Sequence, residues 1–331
     1  MELKSILNKL LESQRLSHLE ARDLMHGIAG GAVNEAQMSA VLTAYVMRSI
    51  SLDELIGFRE ALLELSQEVK LLNGEVIDLC GTGGDGKNTF NISTASTFVV
   101  AGANVPVAKH GNYSASSITG SSNIMEYLGY SFSSNPDKLK REIEQTNVCF
   151  LHAPLFHPAL KAIGPVRRQL GVKTFFNMLG PLINPARPKY QLSGVFNAEV
   201  GRMFSYLFNR CLTDYRVVYS LDGYDEISLT SDVKVFSKMG DECFSPESIG
   251  FSRLSPSCAA GGATVEESAG IFLSVLGNQA DKGKISIIIA NSALAISCFK
   301  GISITEAAHQ AQESIESGRA MEQLKRLLAM Q

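Results

Sequence analysis

Tryptophan is absent from the 331 residues, aromatic side chains make up only 8%, and neither sign of charge dominates, with 30 Lys and Arg against 33 Asp and Glu for a formal net charge of -3. The missing Trp excludes nothing by itself. The balance of charge does, because without an excess of cationic side chains the chain is poorly equipped to neutralise a phosphate polymer. Nucleic acid is therefore not expected as a partner, although a small basic pocket stays open to the chain. Cysteine is sparse and scattered: Cys80, Cys149, Cys211, Cys243, Cys258 and Cys298 form no C-x-x-C pair and show none of the crowding of a secreted disulfide scaffold. They read as buried thiols of a reducing compartment, the cytoplasm. The opening Met1-Glu2-Leu3-Lys4 runs into polar and charged residues rather than the apolar core of a signal peptide, so export is not expected. The most apolar stretch, Ile285 to Phe299, is bounded by Lys284 and Lys300 and interrupted by Asn291 and Ser292. A membrane helix needs about 20 apolar residues, so this stretch reads as a core element and no membrane partner is expected.

What is present first is helical periodicity. From Leu3 to about Leu72 the apolar residues recur at helical spacing, through Ile6, Leu7 and Leu10, then Met25 and Ile28, then Met38, Val41 and Leu42, then Leu55, Phe58 and Leu62. The breaks fall at Ser17, at Gly30-Gly31 and at Ser51, where Ser51 and Glu54 compose a capping box. This predicts a bundle of short helices over 1–72. At Glu75 the texture changes to the apolar run Val76 to Cys80, then glycines, then a small-residue helix from Ser93 to about Ala103. A second strand at Val105 to Ala108, a helix from Ser121 to Leu128, and further alternating runs predict an α/β domain over 73–331 with a mostly parallel central sheet. Val233 to Phe244 reads as short antiparallel strands and Ile304 to Leu328 as helix. The segment 159–185 is expected to rejoin the helical domain.

Four strings carry chemistry. The first is Asp78-Leu79-Cys80-Gly81-Thr82-Gly83-Gly84-Asp85-Gly86, followed by Thr89-Phe90-Asn91-Ile92-Ser93-Thr94. Glycines at a strand end let backbone N–H groups approach an anion, and the helix that follows adds its positive end and hydroxyl donors. The string matches neither G-x-x-x-x-G-K-[ST] nor G-x-G-x-x-G, so the usual ATP and dinucleotide readings fail. A phosphate cradle is expected, with a plain glycine-rich turn as the alternative. The second is Lys109-His110-Gly111-Asn112-Tyr113, with Ser116-Ser117 and Gly120-Ser121 behind it. Loops at the carboxyl ends of neighbouring strands in such a sheet face one crevice, and lysine, asparagine and serine suit phosphate oxygens. The third is Asp225-Glu226 at a strand exit, an acid pair of the sort that holds Mg²⁺ while substrate phosphates complete its coordination. The fourth is Arg167 in Pro165-Val166-Arg167-Arg168, a guanidinium suited to bidentate pairing with a small carboxylic acid. Of the two adjacent arginines only one can face a crevice.

Taken together these strings resemble the anthranilate phosphoribosyltransferase family over nearly the whole chain. The family's G-T-G-G-D and T-F-N-I-S-T stand at Gly81 to Asp85 and Thr89 to Thr94, its K-H-G-N at Lys109 to Asn112, its H-P-A at His157 to Ala159, its F-N-x-L-G-P-L-x-N-P-A at Phe176 to Ala186 and its D-E at Asp225-Glu226. The resemblance implies a nucleoside-phosphorylase-like architecture and transfer of a 5-phosphoribosyl group from phosphoribosyl pyrophosphate to the amine of anthranilate, with Mg²⁺, in tryptophan biosynthesis. It assigns the sugar diphosphate to Gly81, Gly84, Asp85, Thr89, Asn91, Ile92, Ser93, Thr94, Lys109, His110, Gly111, Asn112, Ser116, Ser117 and Ser121. It assigns metal to Ser93, Asp225 and Glu226, and anthranilate to Gly81, Asn112 and Arg167, with His110 and His157 nearby. Lys109, Asn112 and Arg167 are the expected catalytic residues, and no general base is assigned. Two departures stand out. Tyr113 occupies a position where the family most often has arginine, and His152 one where an apolar aromatic is commoner; His152 is read as a core or rim histidine. A homodimer is expected, with Leu3, Leu7 and Leu10 of the first helix as a symmetric contact. The rival functions are a pyrimidine-nucleoside phosphorylase and a nucleic-acid-binding relative without catalysis.

Overall fold

The computed structural model describes residues 3–113 and 118–331. Four helices open the chain: α1 (Leu3–Leu11), α2 (His18–Ala29), α3 (Glu35–Met47) and α4 (Leu52–Glu64). Then come β1 (Ile77–Leu79), α5 (Ile92–Gly102), β2 (Val107–Gly111), α6 (Ser121–Tyr127), α7 (Pro136–Thr146) and β3 (Val148–His152). Helices α8 (Ala153–Phe156), α9 (Pro158–Leu170) and α10 (Phe176–Leu179) precede β4 (Tyr190–Gly194), α11 (Ala198–Cys211), β5 (Asp214–Ser220), β6 (Val233–Ser237) and β7 (Gly240–Phe244). The chain closes with α12 (Val265–Leu276), α13 (Lys282–Lys300), α14 (Ile304–Glu316) and α15 (Arg319–Leu328). These elements form two compact units, Met1–Val69 with Ala153–Pro185, and Lys70–His152 with Ala186–Gln331.

In the helical unit, α2, α3 and α4 each start on a reciprocal cap, Ser17 with Glu20, Asn34 with Gln37 and Ser51 with Glu54. Each cap satisfies two of the N–H groups that a helix start leaves without partners. Glu54 does more than cap. It is fully buried and accepts hydrogen bonds from the Leu16 N–H (2.8 Å), the Ser51 N–H (2.8 Å), the Tyr45 hydroxyl (3.0 Å) and the Arg48 guanidinium. Burial pushes its carboxyl up, but Arg48 and the two N–H groups outweigh burial and hold it below the usual range. The later segment joins this unit through aromatic packing and backbone bonds. Phe175 stacks on Phe58 at 4.7 Å and touches Tyr45 at 4.8 Å, while Gln67 N–H donates to the Phe156 carbonyl (2.9 Å) and Val69 N–H to the Pro185 carbonyl (3.1 Å). Leu10 corrects one expectation: it is 2% exposed, packed inside its own unit, and so offers nothing to a subunit contact. Leu3 and Leu7 are half-buried.

The second unit is built on a seven-stranded sheet in the order β3-β2-β1-β4-β5-β6-β7. The first five strands run parallel, and β6 and β7 add an antiparallel hairpin at one edge. The strand β2 starts at Val107 rather than at the Val105 expected, because Pro106 has no N–H to give and contributes only its carbonyl, which accepts from Ile77 (3.0 Å). The apolar stretch 285–299 lies within α13, whose middle is buried against α5 and α14. The helical run 304–328 is two helices, divided where Gly318 takes φ +78°. Strand order reverses at β1, with later strands added first on one side and then on the other. The crevice of such a sheet lies at the carboxyl ends of the strands that flank this reversal, here β1 and β4.

Candidate active site

At the end of β1 the chain turns through Cys80 to Gly86, and this loop leans on β4. Cys80 N–H donates to the Leu192 carbonyl (3.1 Å) and Thr82 N–H to the Gly194 carbonyl (2.9 Å). Gly83 and Gly84 take φ of +61° and +81°, which L side chains rarely adopt, and this left-handed turn brings Gly83 N–H to Asp225 Oδ2 (2.8 Å). The acid doublet after β5 thus comes directly under the glycine loop. The charge of Asp85 also acts on Asp225 and Glu226, so three acids influence one another here. Burial, and then the charge of Asp85, push the Asp225 carboxyl up. Burial and the charge of Asp225 push Glu226 up, against the pull of Lys109 and of the Ser93 backbone at the start of α5.

The second loop follows β2. Lys109 is 2% exposed, and its Nζ is spent on the Leu79 carbonyl and on Ser93 Oγ (3.3 Å). It stands beneath the glycine loop rather than as a free cation at its rim. His110 is buried too, with its N–H on Asp78 Oδ1 (3.0 Å). Gly111 leaves room for Ser121, whose Oγ would lie 2.3 Å from a Cβ there. Ser121 Oγ in turn reaches the Asn112 carbonyl (3.4 Å). Asn91 donates from Nδ2 to the Thr119 carbonyl (3.2 Å) and Thr89 bridges to Ala260. Ile92 turns its side chain into the hydrophobic core, and its N–H bonds the Phe90 carbonyl (2.6 Å). Thr94 is 1% exposed, again on the inner side of the helix. Ser116 and Ser117 lie outside the described residues.

Arg167 belongs to the helical unit, on α9. It is half-buried where Arg168 is exposed, so the two adjacent arginines do point apart. Its guanidinium lies 5.5 Å from the Phe176 ring and donates to Asn177 Oδ1 (3.2 Å), and burial lowers its pKa. No carboxylate pairs with it among the described residues. His157, in the same unit, is 1% exposed and burial pushes its pKa down to about 4, which makes it a neutral ring.

Two features of the site escaped the motifs. A Cβ at Gly194 would sit 1.4 Å from the Asp225 carbonyl oxygen, so glycine at the end of β4 is what admits the acid doublet. The small-residue run Ala259-Ala260-Gly261-Gly262 pins the far side of the glycine loop, where Asn88 Nδ2 donates to the Gly262 carbonyl (3.1 Å) and Gly261 N–H to the Asn88 carbonyl (2.8 Å). Such a run of small residues is itself a signal of close backbone approach. Conversely, the two departures noted in the sequence touch: the Tyr113 and His152 rings are 4.8 Å apart.

The donor set can be tested against Mg²⁺. Two carboxylates raised by burial and by their acidic neighbours, with one hydroxyl on Ser93, form a hard oxygen site that a cation would relieve. Among the described residues no three His, Cys, Asp or Glu side chains converge tightly enough to hold a metal by themselves. Magnesium takes one or two carboxylates and fills the rest of its octahedron with water and substrate phosphate.

Comparison with known proteins agrees with this geometry. A model of the glycosyl transferase family helical bundle domain matches residues 4–66, and one of the glycosyl transferase family a/b domain matches 73–321. The anthranilate phosphoribosyltransferase of Christiangramia forsetii is 49% identical over 98% of each chain. The crystal structure of the Thermus thermophilus enzyme superposes with a TM-score of 0.92, at 30% identity over 100% of this chain and 99% of that one. The Saccharomyces cerevisiae enzyme in complex with phosphoribosyl pyrophosphate and Mg gives 0.91, at 26% identity over 99% and 97%. With the glycine loop, the acid doublet and both domain models in one order along one chain, this protein belongs to the anthranilate phosphoribosyltransferase family.

Proposed function

We propose that the loops at the ends of β1, β2 and β5 carry the reaction of this family: transfer of the 5-phosphoribosyl group of phosphoribosyl pyrophosphate to the amine of anthranilate, giving N-(5-phosphoribosyl)anthranilate and pyrophosphate in tryptophan biosynthesis. The observation that supports it is the Gly83 N–H donating to Asp225 Oδ2, which joins the glycine loop to the acid pair.

Departure of pyrophosphate leaves positive charge on the ribose ring and negative charge on the leaving oxygens, as in glycoside chemistry. The N–H groups of Gly81 and Gly84 and the side chains of Thr89, Asn91, Ser93, Asn112 and Ser121 are the donors suited to those oxygens. A single preorganised donor of this kind can contribute about 3 kcal/mol to the transition state. Lys109 acts from below, by its charge and by fixing Ser93. Asp225, Glu226 and Ser93 would hold Mg²⁺, which supplies charge neutralisation for the departing diphosphate when bound. The aromatic amine attacks with its own lone pair, so no side chain is required as a strong base. Arg167, a half-buried guanidinium with no acidic partner among the described residues, is the group for the anthranilate carboxylate. A cytoplasmic homodimer completes the proposal, tested by light scattering of the purified protein.

The decisive experiment mixes protein, MgCl₂, phosphoribosyl pyrophosphate and anthranilate and follows anthranilate fluorescence. It should fall only when all four are present and stop falling on addition of EDTA. Unchanged fluorescence with folded protein would overturn the assignment.

A further inference from the structure

His152 ends β3 directly beside Gly111, its partner in the parallel ladder, and so stands next to the loop that carries Asn112. It is 6% exposed. Its ring is stacked on Phe132 at 4.6 Å and meets the edge of Tyr113 at 4.8 Å, with the planes at 77°. Its Nδ1 lies 2.8 Å from Ser122 Oγ. Two routes run from this ring to Asn112. In one, Ser122 N–H donates to the Asn112 carbonyl (3.3 Å). In the other, the Tyr113 N–H donates to Asn112 Oδ1 (2.8 Å), while the Tyr113 side chain is held by the imidazole and by Glu126, to which its hydroxyl donates (3.2 Å). The bond to Oδ1 tells the two ends of the amide apart and leaves the Nδ2 hydrogens without an acceptor among the described residues. A phenol half-exposed to water and laid against a buried imidazole is thereby more than a surface ring.

We propose that His152 and Tyr113 form a positioning pair that aims the Asn112 amide at the sugar diphosphate. The pair touches neither substrate, and it rests on the donor-binding role given above to Asn112. Aromatic contacts of this geometry contribute modestly each, but residues in one contact chain do not act independently.

The test is a double-mutant cycle in the intact enzyme, with steady-state kinetics for both substrates. Tyr113→Ala and His152→Ala should each raise the donor KM about five-fold and change kcat less than about two-fold, the signature of lost ground-state positioning. The double variant should also stay near five-fold, because either change alone breaks the pair; independent sites would multiply to about twenty-five-fold, and that product would overturn the proposal. Tyr113→Phe keeps the ring and drops only the Glu126 bond, so it should restore the donor KM to within about two-fold of the parent. A phenylalanine variant as impaired as the alanine one would refute the ring contact. Should His152→Ala melt below assay temperature, His152→Leu, which fills the site but offers neither a ring to Tyr113 nor a bond to Ser122, takes its place in the cycle with the same non-additivity expected. Parent enzyme without any transfer would refute the functional assignment instead, whereas an active parent with additive variants refutes only the pair.

Discussion

Asp225 shows how much one residue can decide. Its side chain holds the turn of the glycine loop through Gly83, and its backbone runs so close to β4 that only glycine fits at 194. Gly194→Ala should therefore displace the acid doublet by more than an ångström. A misplacement of that size can cost on the order of a hundredfold in rate, so kcat/KM should fall about that much and the magnesium concentration for half-maximal turnover should rise. Kinetics at graded MgCl₂ measures both, and turnover like the parent's would show that the doublet had not moved. Arg167 makes the opposite kind of prediction. A hydrogen bond to a charged group is worth about 1.5 to 3 kcal/mol, or roughly ten- to a hundredfold in affinity. Arg167→Ala should raise the anthranilate KM by that order and leave the donor KM nearly unchanged; equal effects on both would remove the assignment. At this scale residue type alone would leave Asp225, Glu226 and Arg167 as ordinary surface charges; the neighbouring motifs and the family resemblance made them candidates. None of these could show that Ile92, inside a matching motif, turns into the core, because motif membership does not say which face of a helix a residue occupies.

Helices and strands were legible where their signals are local. Ser51 and Glu54 compose a cap from spacing alone, and the structure shows the cap made. What spacing does not reveal is that Glu54 is also the hub joining the α1–α2 connection to α3 through Leu16, Tyr45 and Arg48. Removing one member of a buried ion pair costs about 3 to 5 kcal/mol, and Glu54→Gln should lose about that at pH 7 by chemical denaturation. The native carboxyl is held below its unfolded value near 4.5, so its contribution is present above that pH and is lost as pH falls through the native pKa. Parent and variant should consequently converge in stability as acid is added below pH 4.5. A gap that persists in acid would mean that Glu54 acts by shape and not charge. The start of β2 was misplaced by two residues because an apolar run marks burial, while a ladder begins only where N–H groups exist to build it.

For the whole molecule, binding energy and stability are one account. A ligand present at a hundred times its Kd stabilises the state that binds it by about 2.7 kcal/mol. Phosphoribosyl pyrophosphate with MgCl₂ should raise the melting temperature of the protein, and EDTA should abolish the rise if Asp225 and Glu226 act through the cation. An equal rise in EDTA would show that the diphosphate is held without metal. The order of elements, the α/β character and the glycine and acid motifs were all written in the chain, because capping, periodicity and backbone approach to an anion depend on near neighbours. The reversal of strand order at β1, the need for glycine at 194, the burial of Lys109 and Leu10 and the meeting of Tyr113 with His152 were decided only by the tertiary structure. Each depends on residues far apart in sequence that share a position only once the strands have paired.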